Sequence, residues 1–189
     1  MVVLTRKLVV PVIYRLLYSS GIRTTEARLL RTIDVDLQYG VLNIRHSKGA
    51  DQHYVALHST MVSLLGQYDE AIRLLHPGRE FFFPSYSGAQ MCQSWITNNF
   101  RKLWYKYNTA TAVPYEFRHH YAITNINMWN GLGSDFLAKF HSLSKSMGHT
   151  KLQSTRYYYS LVPAMSDLLL ERTGSDFDRI IPEMHYEEG

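Results

Sequence analysis

Cysteine is almost missing from this 189-residue chain: Cys92 stands alone. That excludes a disulfide framework within the chain and fits a reducing compartment, so a cytoplasmic protein is expected. No cysteine or histidine stands at ligand spacing from Cys92, so a structural zinc site is not expected, and Cys92 reads as a small buried apolar residue. Long hydrophobic runs are missing too. No segment approaches the ~20 apolar residues that a membrane helix needs. Arg15 interrupts the apolar N-terminal stretch, and no small-residue cleavage site follows it, which argues against a signal peptide. Neither a Gly-rich phosphate loop with its lysine nor an acidic metal triad is present, so neither a cofactor nor a metal is expected. Internal repeats and low-complexity linkers are absent as well.

What is present fits one domain. Hydrophobic residues make up 46% and charged residues 19% of the chain, enough for a real core. The charge is unevenly placed. Residues 101–160 hold eight Lys/Arg against two Asp/Glu, a local net of +6. Residues 161–189 hold two against seven, a net of −5. A basic stretch interleaved with Tyr, Trp and His suits a polyanion such as double-stranded DNA; a solvated basic face is the plainer alternative.

The hydrophobic pattern predicts mostly helix around a small sheet. Residues 9–19 read as an apolar helix with Pro11 in its first turn. Ser20-Gly21 breaks it, and a second helix covers 24–30. Between 32 and 57, apolar residues alternate with polar ones around two turns, the pattern of a three-stranded antiparallel meander. Ser59 is placed to cap a helix over 61–75, which Pro77-Gly78 ends. A short apolar edge segment at 81–84 precedes expected helices over 91–107, 116–130, 136–147, 152–159 and 163–170. The fold class is α+β, a mostly helical domain with a small three-stranded antiparallel sheet.

Four segments carry chemistry that a core does not need. They are Leu17-Tyr18-Ser19-Ser20-Gly21-Ile22-Arg23-Thr24-Thr25-Glu26, the hairpin turn His46-Ser47-Lys48-Gly49, Tyr115-Glu116-Phe117-Arg118-His119-His120, and Met147-Gly148-His149 with Tyr158 nine residues on. Arginine binds phosphate oxygens through a planar fork of donors and keeps its charge at any working pH, which makes Arg23 and Arg118 candidates. Glu26 lies one helical turn from Arg23 and can orient a basic group. Tyr115, Arg118 and His119 stand at i, i+3 and i+4, so they share a helix face. A turn lysine such as Lys48 can reach into a site and donate a proton if neighbours tune its pKa. His149 follows a glycine and can donate to a phosphate oxygen. A tyrosine hydroxyl titrates near 10 and needs a neighbouring cation or base before it attacks. Tyr157, Tyr158 and Tyr159 are equivalent on that chemistry, although successive helical side chains point about 100° apart and only one can face a pocket.

Together these segments resemble the boxes of the tyrosine recombinases: LLY-x-x-G-[LI]-R-x-x-E, a β-turn lysine, H-x-x-R-H and [LM]-G-H…Y, in that order. The resemblance spans nearly the whole chain. It implies a site-specific DNA recombinase or integrase, of phage or mobile-element type, that cuts and rejoins DNA through a 3′-phosphotyrosyl intermediate without metal or ATP. The family's spacing from the Gly-His pair selects Tyr158 as nucleophile. Arg23, Lys48, Tyr115, Arg118 and His149 fall on its catalytic positions, with Lys48 as general acid and Glu26 and His119 in support. Tyr115 departs from the pattern, which usually has histidine there, so the base is left open.

The resemblance further implies double-stranded DNA as partner and self-association into a synaptic tetramer on it. Residues 1–189 then form one catalytic domain, 165–189 being a C-terminal helix and acidic tail that packs on a neighbour or folds back. The family's usual N-terminal DNA-clamping domain is absent from these 189 residues, so a fragment of a longer recombinase is expected. A type IB topoisomerase and a non-catalytic DNA-binding module with the same fold are the alternatives.

Overall fold

The computed structural model describes residues 2–45, 52–129, 135–149, 154–155 and 157–158. Lys48, Tyr159, the expected helix at 163–170 and the tail at 165–189 lie outside the described residues. Among those described, no helix is long and apolar enough to cross a membrane.

The chain opens with α1 (Val2–Ser20), which starts seven residues before the expected boundary and carries Pro11 in its interior. Proline leaves the carbonyl four residues back without a donor. Lys7 and Pro11 are both exposed, so water reaches that carbonyl and the helix continues. The opposite face, from Val9 through Val12, Ile13, Leu16 and Leu17, is buried. Gly21, at φ +65°, turns the chain into α2 (Thr24–Leu29).

A 3-10 turn (Thr32–Asp34) leads to β1 (Val35–Asp36), β2 (Val41–Ile44) and β3 (His53–Ala56). They pair antiparallel in the order β1-β2-β3, with Leu42 opposite Val55 and Ile44 opposite His53. The expected meander is therefore present. Period-two alternation buries His53 and Val55 and exposes Tyr54 and Ala56.

Helix α3 (Ser59–Leu75) is capped by His58, whose side chain accepts from the Thr60 amide, and not by Ser59. The edge segment forms only a bridge, Arg31 to Phe81, while Phe82 and Phe83 enter the core. Helices α4 (Trp95–Tyr107), α5 (Glu116–Met128) and α6 (Asp135–Ser146) follow. Helix α4 starts four residues later than expected, and Cys92 sits exposed in the turn before it. A free cysteine is commonly buried, yet here Met91 fills the core instead. The main core joins α1, the sheet, α3 and α4. A second cluster, Ala122, Ile126, Leu143, Met147 and Tyr158, joins α5 to α6.

Candidate active site

Arg118, in the first turn of α5, is 1% exposed. A guanidinium there is costly unless its donors find acceptors. Nη1 donates to the Gly21 carbonyl at 2.6 Å, and Nη2 donates to the Met147 carbonyl at 2.6 Å and to His149 Nε2 at 2.9 Å. Its Nε has no hydrogen-bond partner among the described residues. The Gly21 carbonyl reaches Arg118 because the backbone comes in against Tyr121: a Cβ at Gly21 would lie 2.3 Å from Tyr121 Cδ1.

Arg23 is the residue preceding α2, in extended conformation. The buried Glu26 carboxylate holds it twice, accepting from its backbone amide at 2.7 Å and from Nη1 at 2.6 Å. Nη2 donates to the Gly148 carbonyl at 3.3 Å. The expected i, i+3 pair thus exists, but it is buried on the acid side and serves to aim the arginine.

Helix α6 ends through Gly148, at φ +62°, with the amides of Gly148 and His149 returning to the Lys145 and Ser144 carbonyls. That turn presents three consecutive acceptors to the arginines: the Met147 carbonyl, the Gly148 carbonyl and His149 Nε2. On its other ring edge His149 Nδ1 lies 2.7 Å from Thr155 Oγ1. Burial, then the Arg118 and Arg23 charges, hold the His149 imidazole down to about 4.

Tyr158 is 2% exposed and packs in the second core, whereas Tyr157 is 54% exposed. Tyr158 faces Arg118. Its phenol lies within polar reach of Tyr115 and of Arg118. Burial and the Tyr115 contact push it up to about 12, with Arg118 opposing. The His119 ring packs on both tyrosines, with centroids 4.7 Å from Tyr115 and 5.2 Å from Tyr158. Tyr115, at the start of α5, is 46% exposed, so it links the buried phenol to solvent.

Arg23, Glu26, Tyr115, Arg118, His119, His149 and Tyr158 therefore converge from three of the four segments, the turn that carries Lys48 lying outside the described residues. Burial and the Arg23 charge both push Arg118 down, while Glu26 opposes them. The arrangement places the Arg118 guanidinium beside a hydroxyl and a second guanidinium, Arg23, close to Arg118, a layout suited to holding an anion for nucleophilic attack. Three contributors have no counterpart among the expected residues. The Gly21 and Met147 carbonyls are backbone groups without a side-chain signal, and Thr155 lies between His149 and the tyrosine run. A fourth, His53, packs its ring against Gly148, and its signal was a histidine in phase with the buried Val55.

Solved recombinases share this architecture. The chain superposes on the crystal structure of XerA recombinase with a TM-score of 0.67 at 21% identity, over 95% of this chain and 64% of that one. It superposes on XerH in its pre-cleavage complex with difH substrate with a TM-score of 0.69 at 18% identity, over 92% and 48%. In sequence it is 29% identical to the tyrosine recombinase XerC of Lactobacillus leichmannii over 151 residues, 77% of this chain and 48% of that protein. The tyrosine recombinase XerD of Staphylococcus epidermidis is 26% identical over 147 residues, 76% and 47%. The chain spans about half the length of the curated relatives it matches. The profile of the phage integrase family matches residues 5–164, most of the chain. With that match, and with the tyrosine recombinase fold around its buried tyrosine, this chain belongs to the phage integrase family.

Proposed function

We propose that this chain is the catalytic domain of a site-specific DNA recombinase or integrase in which Tyr158 attacks the scissile phosphate. The phenol oxygen bonds to phosphorus, the bond to the 5′-oxygen breaks, and a 3′-phosphotyrosyl link and a 5′-hydroxyl result. The Lys48 ammonium supplies the proton to the departing 5′-oxygen. Reversal by a 5′-hydroxyl from a partner strand rejoins the DNA, with the bond energy kept in the covalent link.

One observation carries this reading: the buried Tyr158 phenol sits within polar reach of Arg118, whose guanidinium the nearby Arg23 charge disfavours. Among the described residues, Glu26 is the one carboxylate acting on Arg118. Two cations against one anion leave an excess that a phosphate relieves, and the excess grows more favourable as the phosphorane gains charge. The proton of Tyr158 leaves toward the nearby Tyr115 hydroxyl, which is half-exposed and passes one on to water. Double-stranded DNA fits the +6 stretch at 101–160, including Arg101, Lys102 and Lys106 on α4. Assembly of several copies on that DNA is part of the reading.

The test is a suicide substrate, a pool of nicked duplexes with randomised flanks, incubated with the protein and resolved under denaturing conditions. A covalent adduct that maps by peptide mass to Tyr158, and that disappears in Tyr158→Phe while DNA binding stays, is the expected result. No adduct, or one on Tyr157 or Tyr159, refutes the assignment.

A further inference from the structure

His53 lies on the buried face of β3, in register with Ile44 and two residues from Val55. Its imidazole fills the space that a side chain at Gly148 would need: a Cβ there would lie 2.5 Å from Cε1 and 2.8 Å from Nδ1. Gly148 is the middle of the turn that serves both arginines. The residue before it accepts from Arg118, its own carbonyl accepts from Arg23, and the residue after it accepts again from Arg118. The end of α6 holds that turn from one side. The sheet holds it from the other, through His53.

We infer that His53 is a positioning residue, whose ring sets the Met147-Gly148-His149 turn and through it the aim of Arg118 and Arg23. The inference rests on the proposed role of those arginines as the phosphate clamp. The hydrogen bonds involved are between 2.6 and 3.3 Å long. A turn that sinks into the gap left by a smaller side chain lengthens all three together. Misplacement on the order of 1 Å costs a reaction about a hundredfold without removing any reacting group. The sheet end of this lever is firm, since Arg45, at the end of β2, is paired with the buried Asp34.

DNA affinity is spread over many phosphates, so the inference separates binding from cleavage. In single-turnover cleavage of the randomised nicked pool, His53→Ala is expected to cut about tenfold to a hundredfold more slowly, with Kd for the pool changed less than about threefold. His53→Phe keeps a flat ring of similar size and is expected to recover the rate to within about threefold of the parent. A second readout needs no cleavage. Sulfate binding, followed by the Nε–Hε signals of Arg23 and Arg118 in nitrogen-15 spectra, should weaken about tenfold in His53→Ala and return in His53→Phe.

Unchanged cleavage and sulfate affinity in His53→Ala overturns the inference. So does an equal loss in both variants that tracks a fall in melting temperature, since that marks a role in stability alone. If the parent forms no adduct while the sulfate results hold, the proposed recombinase chemistry fails and the positioning role of His53 stands.

Discussion

His149 accepts a hydrogen bond from Arg118, Nη2 to Nε2 at 2.9 Å, and this one contact fixes its protonation. A guanidinium only donates, so Nε2 carries the lone pair and Nδ1 carries the hydrogen, which it gives to Thr155 Oγ1 at 2.7 Å. The imidazole is thus neutral and oriented, with burial and the two arginines holding it down to about 4.

A pH dependence follows. The folded protein takes up the His149 proton near 4 and the unfolded chain near 6.5. Between those values the unfolded state binds more protons, so this residue's contribution to stability falls as pH drops from about 6.5 to about 4. Nitrogen-15 imidazole shifts should show the Nδ1–H tautomer of His149 persisting at pH 5. A His149 midpoint near 6.5 would refute the contact as drawn.

Gly21→Ala is expected to be severe although no side chain is removed. The backbone at φ +65° disfavours a Cβ, and that Cβ would meet the Tyr121 ring at 2.3 Å. Strain and overpacking together cost about 3 kcal/mol. They also shift the carbonyl that holds Arg118. Urea unfolding measures the loss. Adding Tyr121→Ala relieves the clash but not the strain, so the double variant should lose less than the sum of the singles.

The sheet was legible because period-two alternation marks β2 and β3, while Ile33, at the start of the pattern, lies exposed in the 3-10 turn before a two-residue β1. Helix starts were less legible. Pro11 read as a first-turn residue, yet solvent at Lys7 lets α1 run on to Val2. The site was legible where charge and order mark it, at Arg23, Arg118, His149 and Tyr158. It was not legible where backbone does the holding, at Gly21 and Met147, because a carbonyl is common to every residue. The choice among the adjacent tyrosines needed the family's spacing, and burial now separates Tyr158 from Tyr157 independently.

Burial raises the Tyr158 pKa most, and the nearby Tyr115 raises it further. Tyr115→Phe is therefore expected to lower the Tyr158 pKa, read from the Cζ resonance of carbon-13 tyrosine and assigned with Tyr158→Phe. Tyr115→His puts a base of pKa near 6.5 in the same place, and single-turnover cleavage at pH 7.5 is expected to rise about tenfold. A rate lower than the parent's would mean that the hydroxyl of Tyr115, and not proton acceptance, is what the reaction uses.

Glu26 offers the sharpest test of the anion argument. Its buried carboxylate holds Arg23 through both the backbone and the side chain, and its charge opposes the Arg23 charge at Arg118. Glu26→Gln keeps the size and one acceptor but leaves the two guanidiniums uncompensated, which should lower stability by about 3 kcal/mol. An anion that binds only the folded state restores stability in proportion to its affinity. Sulfate should therefore raise the melting temperature of Glu26→Gln by more than that of the parent at equal concentration. The difference should vanish when Arg23 is also replaced by Met, since the unbalanced pair is then gone. If sulfate stabilised parent and Glu26→Gln equally, the two arginines would not be sharing an anion site, and the electrostatic basis for placing a scissile phosphate beside Tyr158 would fall with it.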